Sequence, residues 1–185
     1  MDREMMVLVV VLALLAVVAV VILVQRQRSE SLRKRYGPEY ERMTREAGSR
    51  KRAEAELDKR QRRVQQLQIR SLPPEQRDRL LDQWRSQQAR FVDDPHAAVT
   101  EADRLIGEVM MARGYPVGDF EQRAADISVD HPRVVDNYRA AHEIAVRHGR
   151  GEASTEDLRQ AMVYYRVLFE ELLEDREAVS REAGR

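Results

Sequence analysis

No cysteine occurs among the 185 residues. That excludes a lipoprotein anchor, and it agrees with a reducing compartment without proving one, because many exported proteins also lack cysteine. Strand signals are nearly missing, while helix starts and stops are frequent. Lysine is scarce: Lys34, Lys51 and Lys59 are the only three, all before residue 70. No glycine-rich phosphate loop, nucleophile elbow or HExxH pattern is present, which removes the commonest signatures of nucleotide-binding, hydrolase and zinc-peptidase chemistry.

Charge is also missing from one long stretch. Met5 to Val24 is twenty consecutive apolar side chains without a charge, amide or hydroxyl. As an α-helix rising about 1.5 Å per residue it covers roughly 30 Å, the hydrocarbon thickness of a bilayer. A cleaved signal peptide is the competing reading, and three features oppose it. The run exceeds the usual h-region of about 7–15 residues, Met1-Asp2-Arg3-Glu4 is not basic, and no Ala-x-Ala pattern closes the run. A buried core helix would show a polar side, and this run shows none. The expectation is a single-pass anchor, with the lipid bilayer as the partner of Met5 to Val24.

Orientation follows from the flanks. Arg26, Arg28, Arg33, Lys34 and Arg35 follow the span within eleven residues, whereas Arg3 precedes it beside Asp2 and Glu4. Basic residues resist translocation, so the N-terminus is expected outside and the C-terminal domain in the cytoplasm. A signal anchor holding that domain outside is the alternative. The five membrane-proximal cations also suit an anionic leaflet, at about 1 kcal/mol each close to the surface.

The overall balance of 32 basic and 32 acidic residues hides an asymmetry. Residues 25–70 carry 15 Lys/Arg against 7 Asp/Glu, and residues 71–185 carry 16 Arg against 23 Asp/Glu. The reading is therefore an anchor over 1–24, a basic juxtamembrane stalk over 25–70, an acidic folded module over 71–175 and a charged tail over 176–185. In the stalk, Gly37-Pro38 breaks any helix leaving the membrane. Good helix formers then run from Glu39 to Arg70 with an interruption at Gly48-Ser49. Tyr36, Tyr40, Met43 and Ala47 make one apolar stripe, and Ala53, Leu57, Val64 and Leu67 another. A continuous coiled coil is opposed by Arg50, Glu54 and Gln61 at seam positions, leaving an interrupted amphipathic stalk with at most a weak homo-oligomer seam. The distal cations are read as solvated in preference to paired with the acidic module. Nucleic-acid binding is disfavoured, since acids are interspersed among the arginines and no aromatic or glycine platform accompanies them.

Residues 71–175 are all-α by pattern. Pro74 near N1 opens a first helix carrying Leu80, Leu81, Trp84 and Phe91. Asp94-Pro95 caps a second, with Ala98, Val99, Ala102, Leu105, Ile106, Val109 and Met110 on one face, and Gly114 stops it. A short helix is expected around Asp119–Ile127. Asp130-His131-Pro132 is read as the start of another, reusing the Asp94-Pro95 device. Ser154 to Asp157 then reads as a capping-box-like start for a last helix bearing Leu158, Ala161, Tyr165, Leu168, Phe169 and Leu172. Four long helices and a short one bury such faces only against one another, so an antiparallel helical bundle is expected.

Several stretches carry a resemblance: Arg35-Tyr36-Gly37-Pro38-Glu39-Tyr40-Glu41-Arg42, Arg90-Phe91-Val92-Asp93-Asp94-Pro95, Arg113-Gly114-Tyr115-Pro116-Val117, Phe120-Glu121-Gln122-Arg123-Ala124-Ala125-Asp126 and Tyr138-Arg139-Ala140-Ala141-His142. Together they resemble a family of uncharacterised single-pass bacterial membrane proteins, often labelled secreted or hypothetical, over nearly the whole length. The resemblance implies an anchor and brings no activity, cofactor or catalytic residue. Heavy use of Arg over Lys, and of Val and Ala, suits a GC-rich bacterial genome.

The polar residues worth following are Arg123, Asp126, Asp130, His131, Tyr138 and His142. Tyr138 and His142 share a helix face at i,i+4, whereas His142 and His148, six apart, point to different sides. Arg123 is expected to pair with Asp126 or with an acid on a neighbouring helix. No catalytic set, metal site or cofactor is expected. The function expected is a membrane-tethered helical interaction or adaptor module with a protein partner. The alternatives are an enzyme using a bundle pocket around His142, or lipid or nucleic-acid binding through the stalk.

Overall fold

A computed structural model describes residues 3–174, with side chains from residue 10 onward. The tail expected over 176–185 lies outside the described residues. Among these the protein is all helical, with eight helices and no strand: α1 Arg3–Tyr36, α2 Pro38–Ala47, α3 Arg50–Gln65, α4 Pro74–Arg90, α5 Pro95–Arg113, α6 Phe120–Asp130, α7 Val135–Gly149 and α8 Thr155–Glu174. Contacts divide them into two compact units, one up to Glu54 and one from Ala55 onward. The division falls inside α3, within the stretch that reads as stalk.

In the first unit α1 runs 34 residues without a break. Its large apolar side chains from Val10 to Val24 all face outward. This helix is long and apolar enough to cross a membrane. The last turns behave differently: Ser29, Leu32 and Tyr36 are buried. Gly37 at φ 50° ends α1, and Pro38 opens α2 where its missing N–H costs nothing. Gly48 at φ 61° ends α2 and α3 starts at Arg50. Residues 29–54 thus fold back on themselves instead of extending. Tyr36, Tyr40, Met43 and Ala53 form the apolar part of a small interior.

Polar groups finish that interior. Glu54 Oε1 accepts from Ser29 Oγ at 2.6 Å on α1, Tyr40 OH at 2.8 Å on α2 and Arg50 Nε at 3.1 Å on α3. Arg50 Nε also donates to Tyr40 Oη at 2.9 Å. Glu39 is sealed from solvent and held by Arg42 through two bonds of 3.0 and 3.2 Å. A buried carboxylate is tolerated only when paired in this way.

The second unit is the helical bundle. α8 packs on both α7 and α5, α5 also carries α4, and α6 lies on α7. The apolar positions expected on α5 and α8 are all buried. Trp84 stacks on Phe169 at 4.7 Å between centroids, joining α4 to α8. Arg113 is the largest fully buried side chain, and its Nη1 donates to the Leu172 carbonyl at 2.8 Å, satisfying the end of α8. Asp94 accepts from the Ala97 amide at 3.0 Å as the N-cap of α5. Ser154 and Asp157 cap each other's amides at 2.8 and 3.1 Å, a capping box in the full sense.

Two helix boundaries differ from the sequence reading. Residues 66–70 are not helical, although the composition up to Arg70 favours a helix. Leu67, Ile69 and Leu72 pack on the bundle core, and the Arg70 amide donates to the Arg113 carbonyl at 2.9 Å. The partial burial of these three apolar side chains on the core outweighs local propensity here. This non-helical passage also explains Gly114: at φ 93°, an added Cβ would lie 2.4 Å from the Gln68 carbonyl oxygen. The second difference concerns Asp130-His131-Pro132, which does not start a helix. Asp130 is the last residue of α6, and the His131 amide donates back to Ile127 at 2.8 Å. α7 begins only at Val135, after a turn, because Asp130's carboxylate is engaged by Tyr115 OH at 2.9 Å and does not cap. The echo of Asp94-Pro95 is therefore one of sequence alone.

Candidate functional site

α6 and α7 meet where Phe120 lies over α7. The Phe120 ring stacks flat on His142, with centroids 3.6 Å apart and planes at 7°, and tilts against Tyr138 at 4.9 Å. One turn along α6, the Arg123 guanidinium sits 6.0 Å from the centroids of both Phe120 and Tyr138. Guanidinium over aromatic faces at this range is attractive. Gly107 on α5 backs the group: a Cβ there would touch Arg123 Nη1 at 3.7 Å and Val117 Cγ1 at 3.5 Å. Three of the six residues followed from the sequence, Arg123, Tyr138 and His142, are thus brought together.

Two more residues join them. Tyr165 of α8, fully buried, donates to Asp103 Oδ1 of α5 at 3.0 Å, and its ring meets Tyr138 edge-on at 6.4 Å. Sequence reasoning placed Tyr165 in the core and passed over Asp103. A signal was available: Asp103 falls between Val99 and Ile106 at +4 and +3, an acid in register with the buried stripe of α5.

Electrostatics follow from burial. Desolvation raises the Tyr138 hydroxyl well above the ordinary phenol value; Arg123 opposes this and Asp103 adds to it. Tyr165 is raised more strongly, by burial first and then by its Asp103 partner. His142 is lowered, chiefly by desolvation; Asp103 and Glu121 pull it back up while Arg123 pushes it further down. The imidazole is therefore neutral near pH 7, and Arg123 is the cation among the described residues whose charge acts on both groups.

Hydrogen bonding is incomplete. Arg123 Nε, Tyr138 OH and His142 Nδ1 are all buried without a protein partner. Arg123 makes no ion pair among the described residues, in contrast to the expectation that it holds Asp126 or a neighbouring acid. Each such unsatisfied buried group costs about 1–3 kcal/mol. Three of them lie around the Phe120 ring.

The other three followed residues have separate engagements. Asp126, fully buried on α6, accepts from Arg63 Nε of α3 at 3.0 Å and from Gln122 Nε2 at 2.8 Å. Arg60 of α3 reaches Ser128 Oγ at 3.4 Å. Two distal cations read as solvated are therefore bound to the bundle, because a buried Asp126 needs a countercharge more than Arg63 needs water. Asp130 takes the Tyr115 hydroxyl. His131 is buried with Nδ1 3.3 Å from Glu171 Oε1, and this contact lowers the Glu171 carboxyl.

Of the five membrane-proximal cations, Arg33 pairs with Glu41 at 3.1 Å. Lys34 and Arg35 line an open groove along α1 with Gln27, Glu30 and Ser31, and Arg26 and Arg28 are exposed. Elsewhere His96 and His148, both at the bundle surface, approach with Nδ1 atoms 3.0 Å apart. No cluster of three or more His, Cys, Asp or Glu is placed to hold a metal among the described residues. No protein-family model, curated protein or solved structure matches the chain.

Proposed function

We propose that the protein is a membrane-tethered helical interaction module, anchored in the bacterial cytoplasmic membrane by α1, with its bundle on the cytoplasmic side working as an adaptor. One observation carries the reading. The outward-facing apolar surface of α1 from Val10 to Val24 is uncovered by protein, and a bilayer is the surrounding that removes it from water. Five cations beyond Val24 support the orientation. The resemblance to single-pass bacterial membrane proteins agrees with the anchor.

An adaptor role is supported by what the bundle is made of: a packed helical core and salt-bridged outer faces, with no recognisable nucleophile–base pair among the residues followed. The test is crosslinking and affinity recovery of the full-length protein from its own membranes. The same partner should return in repeated experiments, at a higher yield than with α1 alone. Recovery of nothing but the protein itself would overturn the adaptor reading. Protease added to intact cells should spare the bundle, and its digestion would overturn the orientation.

A further inference from the structure

We propose that His96 and His148 form a two-histidine site for a divalent transition-metal ion of the zinc class, bridging the start of α5 and the end of α7. The inference goes beyond the adaptor reading and does not depend on it.

The first observation is convergence. His96 is the second residue of α5 and His148 the last but one of α7, 52 positions apart in sequence. Folding brings their rings to 4.4 Å between centroids, with planes at 38°. The second is the spacing of the nitrogens. His96 Nδ1 lies 3.0 Å from Nδ1 and 3.2 Å from Nε2 of His148. Two Zn–N bonds of about 2.0–2.1 Å meeting at a tetrahedral angle hold their nitrogens about 3.3 Å apart. The pair is therefore already close to the separation that one ion requires. Without an ion, one nitrogen of His96 faces both nitrogens of His148, a divided contact that uses at most one lone pair. An ion between the rings uses a lone pair from each.

The third observation is access and charge. His96 is exposed and His148 half-buried, so the rings can turn toward an ion and water can complete its shell. His148 stands in the last turn of α7, whose negative end attracts a cation. At the positive end of α5, the N-cap Asp94 is close enough to His96 for their charges to interact. The neighbouring arginines are engaged by acids, Arg90 with Asp94 at 3.5 Å and Arg147 with Asp157 at 3.2 Å. Ligand type then sets the class of ion. Imidazole nitrogen suits Zn²⁺, Ni²⁺ and Cu²⁺, whereas Mg²⁺ and Ca²⁺ take oxygen. With two protein ligands the remaining positions go to water, so binding is weaker than at a closed structural zinc site. Binding to the folded chain alone raises its stability, because the ion ties two helix ends together.

The experiment uses the full chain, without a polyhistidine tag, in detergent micelles or nanodiscs after treatment with EDTA. Zinc chloride is titrated in calorimetry and in NMR of the histidine ring signals, with magnesium chloride as the comparison. One Zn²⁺ per chain should bind, and thermal melts should rise with Zn²⁺ and not with Mg²⁺. The His96 and His148 signals should shift together while those of His131 and His142 stay in place. His96→Gln and His148→Gln should each weaken Zn²⁺ binding at least tenfold and abolish the rise in melting temperature, with His142→Gln behaving as wild type. Equal Zn²⁺ affinity in either folded surface variant would overturn the site. So would a shift confined to one of the two rings, a response to Mg²⁺ of the same size, or one ion per two chains. The wild-type NMR titration decides the matter even if a variant fails to fold.

Discussion

His142 shows how one residue's surroundings become a property of the whole protein. Its pKa lies below the ordinary 6.5 in the folded state, because burial disfavours the imidazolium. The unfolded chain therefore binds more protons than the folded one between the lowered value and 6.5. Stability contributed by neutral His142 is present above 6.5 and is lost as pH falls toward the folded value. Thermal melts between about pH 8 and about pH 5 should show this decline, and His142→Gln should flatten it. Two glycines give opposite expectations at the same scale. Gly107 lies inside α5 in a conformation any residue adopts, and a Cβ there meets its neighbours at 3.5 and 3.7 Å, ordinary contact distances. Gly107→Ala should stabilise by about 0.5–1 kcal/mol through helix propensity. Gly114 has φ 93° and a carbonyl oxygen 2.4 Å from where the Cβ would be. Gly114→Ala should destabilise by about 2 kcal/mol or more, since both strain and collision apply. Denaturant titrations of the two variants separate the cases.

Between elements, single side chains tie helices that share few apolar contacts. Glu54 gathers one donor from each of α1, α2 and α3. Its carboxyl is pulled below the usual range by these bonds, against a desolvation that pushes it up. Glu54→Ala should leave Ser29 and Tyr40 without that acceptor and loosen the first unit. Amide hydrogen exchange in α2 should accelerate while exchange in α5 and α8 is unchanged; unaltered α2 protection would contradict the role assigned to the hub. In the second unit Asp126 is fully buried and Arg63 is 44% exposed. Arg63→Ala leaves the carboxylate with Gln122 and should destabilise the bundle by about 1–3 kcal/mol, a range held down by the solvent access of Arg63. The elements themselves were largely legible in advance. Pro38, Asp94, Gly114 and Ser154 each act where the sequence placed them, because capping and turn chemistry are decided within four or five residues. The passage over 66–70 was not legible. Its fate is set by packing of Leu67 and Ile69 on the bundle core and by the Arg70 amide bonding the Arg113 carbonyl, forces local propensity does not include.

At the scale of the molecule, an uncovered apolar helix is joined to a helical bundle with its own core. Alkaline carbonate washing should leave the full-length protein with the membrane pellet. A chain beginning after Val24 should be released to the supernatant with its helical circular dichroism retained. Full-length protein in the supernatant would remove the anchor from the reading. The candidate site belongs to this scale as well. Tyr138 and His142 could be paired from their i,i+4 spacing, but Arg123 came with the wrong expected partner. That Asp103 and Tyr165 join them was decided only by the packing of α5, α7 and α8.

What the sequence by itself determined is helix content, the helix ends marked by Pro38, Asp94, Gly114 and Ser154, and the apolar run of α1. All three depend on interactions along the chain or on composition, and water distinguishes them without any help from distant residues. Only the tertiary structure decided which acid meets which arginine. Asp126 went to Arg63 instead of Arg123, and Arg123 was left on aromatic faces without a carboxylate. Ion pairs form between whichever charges burial brings within about 4 Å, and that distance is a property of the packed helices, not of their spacing in sequence.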